Sequence, residues 1–255
     1  MRSVAAKLYG GADLKTIAVS DIGKHRELNE DSVFKCDESL GILPNFYMVA
    51  DGIGGHKAGD YASQFCVSKL VEELKNDKSK TIIGSLFSSI LTMNEKMYRE
   101  SEKSPEFHGM GTTLCCVTVS EKTALCANVG DSRMYVYSCD GSFKQISVDH
   151  SLVNNLIMTG KLTKKEAAMS PKKNAITRAI GVEPSVSPDF YEVDIEKGDI
   201  ILLCSDGLTG MVSDAQIGDC LGNRIRTLED KAFWLIERAN MNGGKDNISV
   251  VLIEI

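Results

Sequence analysis

The sequence predicts an α+β protein, and three observations carry that reading. Across residues 113–137, three apolar stretches are separated only by short polar breaks, as in an antiparallel meander. Helical periodicity is confined to two pairs of segments, one before this run and one near the C-terminus. Nowhere do strand and helix alternate as parallel βαβ units require. Two antiparallel sheets packed together with helices outside would house these elements in one domain, residues 1–255. Periodicity alone leaves their arrangement open.

Taken in order, residues 16–20 read as a first strand and 31–35 as a second. Residues 46–50 are five apolar positions, read as a short buried strand that ends on a carboxylate, Asp51. Gly52, Gly54 and Gly55 follow within four residues, so the backbone is expected to turn sharply and to come close to whatever Asp51 faces. From Ala58 the period becomes helical, with Val67, Leu70, Val71 and Leu74 on one stripe of a helix over 58–76. Ile83, Leu86, Phe87, Ile90 and Met97 mark a second helix over 81–102. After a loop at 104–111 come the meander strands, 113–119, 124–129 and 134–137. Residues 151–173 are polar and interrupted at Gly160 and Pro171, which allows two short helical pieces at most. A buried strand at 199–204, a helix at 214–221, a helix marked by Leu228, Ala232, Leu235, Ile236 and Ala239, and a strand at 248–253 close the chain.

Composition narrows the function classes. A hydrophobic share of 43% and a charged share of 25% are ordinary for a globular chain. The net charge of -6 argues against nonspecific binding to nucleic acid or an anionic membrane. No stretch approaches the ~18 consecutive apolar residues of a membrane span. Residues 1–15 lack the apolar core of a secretory signal, so a cytoplasmic protein is expected. Of eight cysteines none forms a C-x-x-C pair, and Cys115, Cys116, Cys126 and Cys204 sit in apolar runs; reduced, structural thiols are expected.

The acids are placed with a pattern. Asp51 follows an apolar strand, and so do Asp131, in Ala127-Asn-Val-Gly-Asp131, and Asp206, in Ile200-Ile-Leu-Leu-Cys-Ser-Asp206. Asp246 stands just before the last strand, and Glu30 with Asp31 before the second. Singly, each has an ordinary reading as a turn or cap residue. Jointly, three apolar strands deliver an acid at the same end. Carboxylates gathered in that way repel and resist desolvation unless a cation neutralises them. An all-oxygen set favours Mg²⁺ or Mn²⁺ over zinc. Five or six acids point to two or more ions, which clamp an in-line displacement at phosphorus and lower the pKa of a bridging water. Arg26, four positions before Glu30, carries a planar fork that suits a phosphate monoester; without those acids it would read as a surface arginine.

In this order the set resembles the metal-dependent protein phosphatases of type 2C, a serine/threonine phosphatase family. The matching stretches are Ser20-Asp-Ile-Gly with Arg26 and Asn29-Glu-Asp-Ser32, Ala50-Asp-Gly-Ile-Gly-Gly-His56, Gly111-Thr-Thr, Val129-Gly-Asp-Ser-Arg133, Thr177-Arg-Ala-Ile-Gly181, Leu203-Cys-Ser-Asp-Gly-Leu208 and Lys245-Asp-Asn-Ile-Ser249. They cover about residues 14–255. The resemblance implies a four-layer α-β-β-α sandwich, two antiparallel sheets flanked by helical pairs, and two Mn²⁺ or Mg²⁺ ions with a third. It implies that Asp51 bridges two ions, with Asp206 and Asp246 on the first and Glu30 and the Gly52 carbonyl on the second. Asp131, with Asp206, would hold the third. Asp31 and Asn247 would orient waters, and Arg26 would grip the substrate phosphate. A bridging hydroxide would attack phosphorus directly, with no covalent enzyme intermediate. Phosphorylated proteins, among them a serine/threonine kinase and its targets, are the implied partners of a monomer with no nucleic-acid or membrane role.

One position departs from many eukaryotic members, where a histidine after the Asp-Gly pair is proposed as general acid. Here it is Ile53, which cannot donate a proton, and His56 is a poor substitute in a glycine-rich turn. Ile53 and the compact length favour a bacterial-type member. Residues 151–174 match the family's flap, a variable segment beside the site; its lysines at 161, 164, 165, 172 and 173 suit acidic partners or a solvated face equally. Other readings fare worse. Gly52-Ile-Gly-Gly-His-Lys57 lacks the third glycine of a dinucleotide turn, and His25-Arg-Glu-Leu-Asn29 lacks the aspartate of a kinase loop. A noncatalytic regulator of this fold, or a hydrolase of small phosphoesters, remains as the alternative.

Overall fold

The computed structural model describes residues 14–54, 58–172 and 174–255. Gly55, His56, Lys57, Lys173 and the first thirteen residues, with the expectations that fell on them, lie outside the described residues. Three strands open the chain: β1 (Lys15–Asp21), β2 (Asp31–Cys36) and β3 (Phe46–Ile53). Helices α1 (Ala58–Asn76) and α2 (Ile82–Ser101) follow. Then come β4 (Gly111–Thr112), β5 (Leu114–Val119), β6 (Thr123–Val129), β7 (Arg133–Tyr137) and β8 (Phe143–Gln145). Short helices α3 (Leu152–Met158) and α4 (Lys164–Met169) precede β9 (Asp189–Asp194) and β10 (Ile200–Cys204). Last are α5 (Asp206–Thr209), α6 (Asp214–Leu221), α7 (Leu228–Met241) and β11 (Ile248–Glu254). Among the described residues no helix is long and apolar enough to cross a membrane.

All pairings are antiparallel. One sheet runs β1–β11–β10–β7–β8; the other runs β2–β3–β5–β6–β9, with β4 against the end of β3. The period-2 alternation of each strand sorts its side chains between layers. In β3, Phe46, Met48 and Ala50 pack under α1 and α2, while Tyr47 and Val49 enter the core between the sheets. In β11, Val251 and Ile253 meet that same core, and Ile248, Val250 and Leu252 pack under α6 and α7. Three cores therefore separate four layers, the expected α-β-β-α sandwich. Capping boxes begin α6, at Ser213 with Gln216, and α7, at Thr227 with Asp230, as their sequences direct. All eight cysteines are free thiols and six of them are buried, as the apolar runs suggested.

Three local expectations change. β7 does not continue the meander: β5 and β6 form a hairpin in one sheet, and β7 crosses to pair with β10 in the other. An apolar period reports which faces are buried, not which strand lies alongside. β3 does not stop at Asp51 in a sharp turn, because Gly52 and Ile53 continue it by pairing with Thr112 and Gly111 of β4. Two edge strands were not foreseen: β8 has three residues, and β9 carries Glu192 and Asp194 on an exposed side.

Candidate active site

The alternation that fills the inter-sheet core also places the acids. Asp51 has the parity of Tyr47 and Val49, and Asp31 that of Val33, so both face the gap between the sheets. They are direct cross-strand partners in the β2–β3 ladder. Two buried carboxylates opposite one another are a repulsive pair. Nothing in an ordinary sheet would choose them.

Around this pair the other acids converge from separate segments. Asp206 begins α5 directly beyond β10 and Asp246 stands two residues before β11, while Asp131 follows β6 through Gly130. Burial pushes Asp51 far above the usual carboxylate range, reinforced by the charges of Asp31, Asp206, Asp131 and Asp246. Burial also pushes Asp131 up to about 7, with Asp206 and Asp149 adding to it. Asp206 is raised by burial and by the charge of Asp246. Glu30 is raised by burial against the opposing pull of Arg26. Its carboxylate lies against Gly59 in the first turn of α1.

Backbone and hydroxyl contacts hold these groups. The Asp51 N–H donates to Thr113 Oγ1 at 2.9 Å, and that oxygen shares a 2.7 Å hydrogen bond with Ser132, next to Asp131. Ser205 Oγ donates to Asp31 Oδ2 at 2.7 Å. Asn247 is buried, and its Oδ1 accepts the Glu30 N–H at 2.8 Å while its Nδ2 donates to the carbonyls of Ile22 and Leu28. It thus staples the 22–30 loop to the start of β11, and the carbonyls take the amide hydrogens that were expected to orient waters. Gly52 is needed for close approach: a Cβ there would overlap the Gly59 carbonyl oxygen of α1 and come within 2.6 Å of that of Glu30.

Arg26 does reach this rim. Its Nη2 donates to Asp246 Oδ2 at 2.8 Å and its Nη1 lies 3.5 Å from Glu30 Oε2, so the guanidinium pairs with two of the acids. Burial works against its charge, but Asp246, Glu30 and Asp51 outweigh it and raise its pKa. A second guanidinium, Arg133, is committed elsewhere by three hydrogen bonds to Asp149 of 2.6–3.0 Å. The six acids Glu30, Asp31, Asp51, Asp131, Asp206 and Asp246 are therefore balanced, among the described residues, by little besides Arg26. The donor set is all oxygen and short of positive charge, which fits hard divalent cations. As they stand, no three of the described histidine, cysteine or acidic side chains are drawn closely enough to chelate one ion.

A cleft of about 760 Å³ opens beside Asp131 and Asp206 and is walled by Ile157, Met158 and Ala167 of the 151–174 segment. Of the acids singled out in the sequence, Asp131 and Asp206 line this cleft. Thr113, Ser132 and Ser205 stood inside the matching stretches but were given no role, because no charge or spacing distinguishes a structural hydroxyl. Asp149 and His150 escaped notice, though His150 stands directly before the cap residue Ser151 that starts α3.

Two antiparallel sheets between helical pairs, with buried acids at one rim, are the layout of the metal-dependent Ser-Thr phosphatase class. The chain belongs to the protein phosphatase 2C family, whose model matches residues 24–242. It is 39% identical over 241 residues to the serine/threonine phosphatase stp of Listeria innocua, covering 92% of this chain and 93% of that one. The crystal structure of serine/threonine phosphatase Stp1 from Staphylococcus aureus superposes with a TM-score of 0.90 at 35% identity, covering 98% of each chain. The catalytic domain of the phosphatase PstP, solved in complex with 2 manganese ions, matches with a TM-score of 0.81 at 34% identity over 94% of this chain and 97% of that one.

Proposed function

We propose that this protein is a Mn²⁺- or Mg²⁺-dependent phosphatase that hydrolyses phosphoserine and phosphothreonine in proteins. The observation that carries the reading is the facing pair Asp31 and Asp51, buried amid four further acids with Arg26 at their edge. Divalent ions held by Asp51, Glu30, the Gly52 carbonyl, Asp206 and Asp246, with a further one at Asp131, would supply Lewis-acid charge and an activated water. Arg26 would leave Asp246 to meet the substrate phosphate, for which its fork geometry suits two phosphoryl oxygens. Thr113, Ser205 and Asn247 fix the carboxylates and the 22–30 loop, so that little reorganisation is needed when substrate arrives. Ile53 supplies no proton at the position after Asp-Gly, so the leaving alkoxide would draw its proton from water. The cleft under 151–174 would receive the residues flanking the phosphorylated side chain. A single-domain cytoplasmic monomer of this kind would act on phosphoproteins, a serine/threonine kinase and its targets among them.

The test is hydrolysis of a phosphothreonine peptide with Mn²⁺, with Mg²⁺ and with excess chelator. Turnover that requires the ion, and falls by orders of magnitude in a folded Asp51→Asn variant, is expected. Folded protein that is inactive with either ion would favour the regulator or small-ester reading.

A further inference from the structure

Asp131 is reached through a glycine that has little to define its own conformation. Gly130 lies at φ 107°, where a Cβ would come within 2.6 Å of Thr113 Cγ2, so glycine is required. Glycine also leaves the backbone its widest freedom immediately before the carboxylate. His150 does most to remove that freedom. His150 Nδ1 accepts the Gly130 N–H at 3.0 Å, and the His150 N–H donates to the Gly130 carbonyl at 2.9 Å. Both polar groups of Gly130 are held by His150, through its side chain and its backbone, and Asn128 Nδ2 adds a longer 3.3 Å bond to the carbonyl.

The ring is oriented in turn. Because Nδ1 accepts, Nε2 carries the hydrogen and donates to Asp189 Oδ2 at 3.0 Å. Arg178 Nη1 donates to Asp189 Oδ1 and to the Ser187 carbonyl, both at 2.7 Å, which fixes the carboxylate that the imidazole addresses. The residue is only 6% exposed. Burial holds the imidazole below its ordinary value against the opposing pull of Asp189, with the nearby Arg178 charge acting in the direction of burial, so the neutral ring with a free Nδ1 lone pair is favoured. The same residue gathers both ends of the 151–174 segment. Its carbonyl accepts the Thr177 N–H at 2.7 Å, and Leu152 N–H reaches the Ala175 carbonyl at 2.8 Å.

We propose that His150 is a positioning residue: oriented by Asp189, it locks the Gly130 backbone and so sets where Asp131 stands at the acidic rim. This rests on the reading of Asp131 as an ion ligand. A role of this kind belongs to the groups around a metal site whose loss costs about 10- to 100-fold in affinity.

Two isosteres separate the ring's hydrogen bonds. His150→Asn puts an amide oxygen where Nδ1 accepts, while His150→Gln puts its amide near Nε2 and leaves the Gly130 N–H without a partner. The measurement is calorimetric titration of Mn²⁺ into chelator-stripped protein, with the thermal melt of each variant as the check on folding. Asp131→Asn first identifies which binding step belongs to that carboxylate. His150→Ala and His150→Gln should weaken that step about tenfold, and His150→Asn should recover most of the loss. If Asp131→Asn leaves the whole titration unchanged, the ligand reading falls and takes the inference with it. If Asp131→Asn removes a step that every His150 variant retains at parent affinity, His150 does not position Asp131. Equal weakening in Asn and Gln, tracking equal losses in melting temperature, would make the residue a packing element and overturn the proposal.

Discussion

Replacing Asp31 by asparagine removes one charge of the facing pair and keeps an oxygen to accept the Ser205 hydroxyl. Burial pushes Asp31 up to about 7 from an ordinary 3.8; hydrogen bonds from Ser205 and Ser249 resist the rise, and Asp206 and Asp246 add to it. A rise of about three pH units, at about 1.4 kcal/mol each, sets a ceiling of about 4 kcal/mol on what ionised Asp31 costs the metal-free fold. The sign follows from proton linkage. A carboxyl whose native pKa is raised contributes stability below its unfolded value, and that stability drains away as pH rises through about 7. Thermal unfolding of parent and Asp31→Asn in excess chelator is therefore the assay. At pH 8.5 the variant should unfold higher, by up to about 16 °C at the 2–4 °C per kcal/mol usual for a chain of this size. The advantage should narrow steadily on acidification and nearly vanish around pH 4. Saturating Mn²⁺ should erase it too, because the cation offsets the same repulsion. A variant no more stable than the parent in chelator at pH 8.5, or an advantage that ignores pH, would refute the reasoning.

Arg26→Ala should raise KM for phosphopeptides more than it lowers kcat, and an unchanged KM would count against phosphate contact. The same variant should bind Mn²⁺ more tightly, by up to about fivefold, since a half-exposed pair of this kind is worth at most about 1 kcal/mol. Weaker binding on calorimetry would mean that Arg26 does not compete for Asp246. Gly52→Ala should lower the melting temperature by several degrees and weaken Mn²⁺ binding, because the new methyl must push α1 and the Glu30 carbonyl apart at a cost of about 1–3 kcal/mol. An unaltered melt would show that the contact between β3 and α1 yields freely.

Strand and helix positions were legible wherever one face is buried, as in β3, β11, α2 and α7, because burial imprints its period directly. The acids were legible for a different reason: a charge at the end of an apolar strand is costly, and five segments repeat that cost. Sheet membership was not legible. β7 has the same apolar character whether it follows β6 or crosses to β10, so its partner is decided by packing. Edge strands β8 and β9 bury little and so carry a weak pattern. The His150, Asp189 and Arg178 network was invisible because its members lie up to 39 positions apart, and Arg178, though inside a matching stretch, had no assigned partner. Arg26 was placed at the right rim, but its pairing with Asp246, 220 positions away, is a property of the folded loops alone.

The staple between Asn247 and Glu30 joins positions 217 apart in sequence, and β1 lies against β11 with Asp21 opposite Ile248, so an early and a late segment of the chain meet beside the acids. Contacts of such separation close late, after nearer strands have paired, because the loop entropy must be overcome first. The acidic rim is therefore absent from the early collapsed chain, and the pocket cannot act as a template for its own folding. Cations that fit it would meet a finished sandwich, lengthening the lifetime of the native state while leaving the speed of its formation almost untouched.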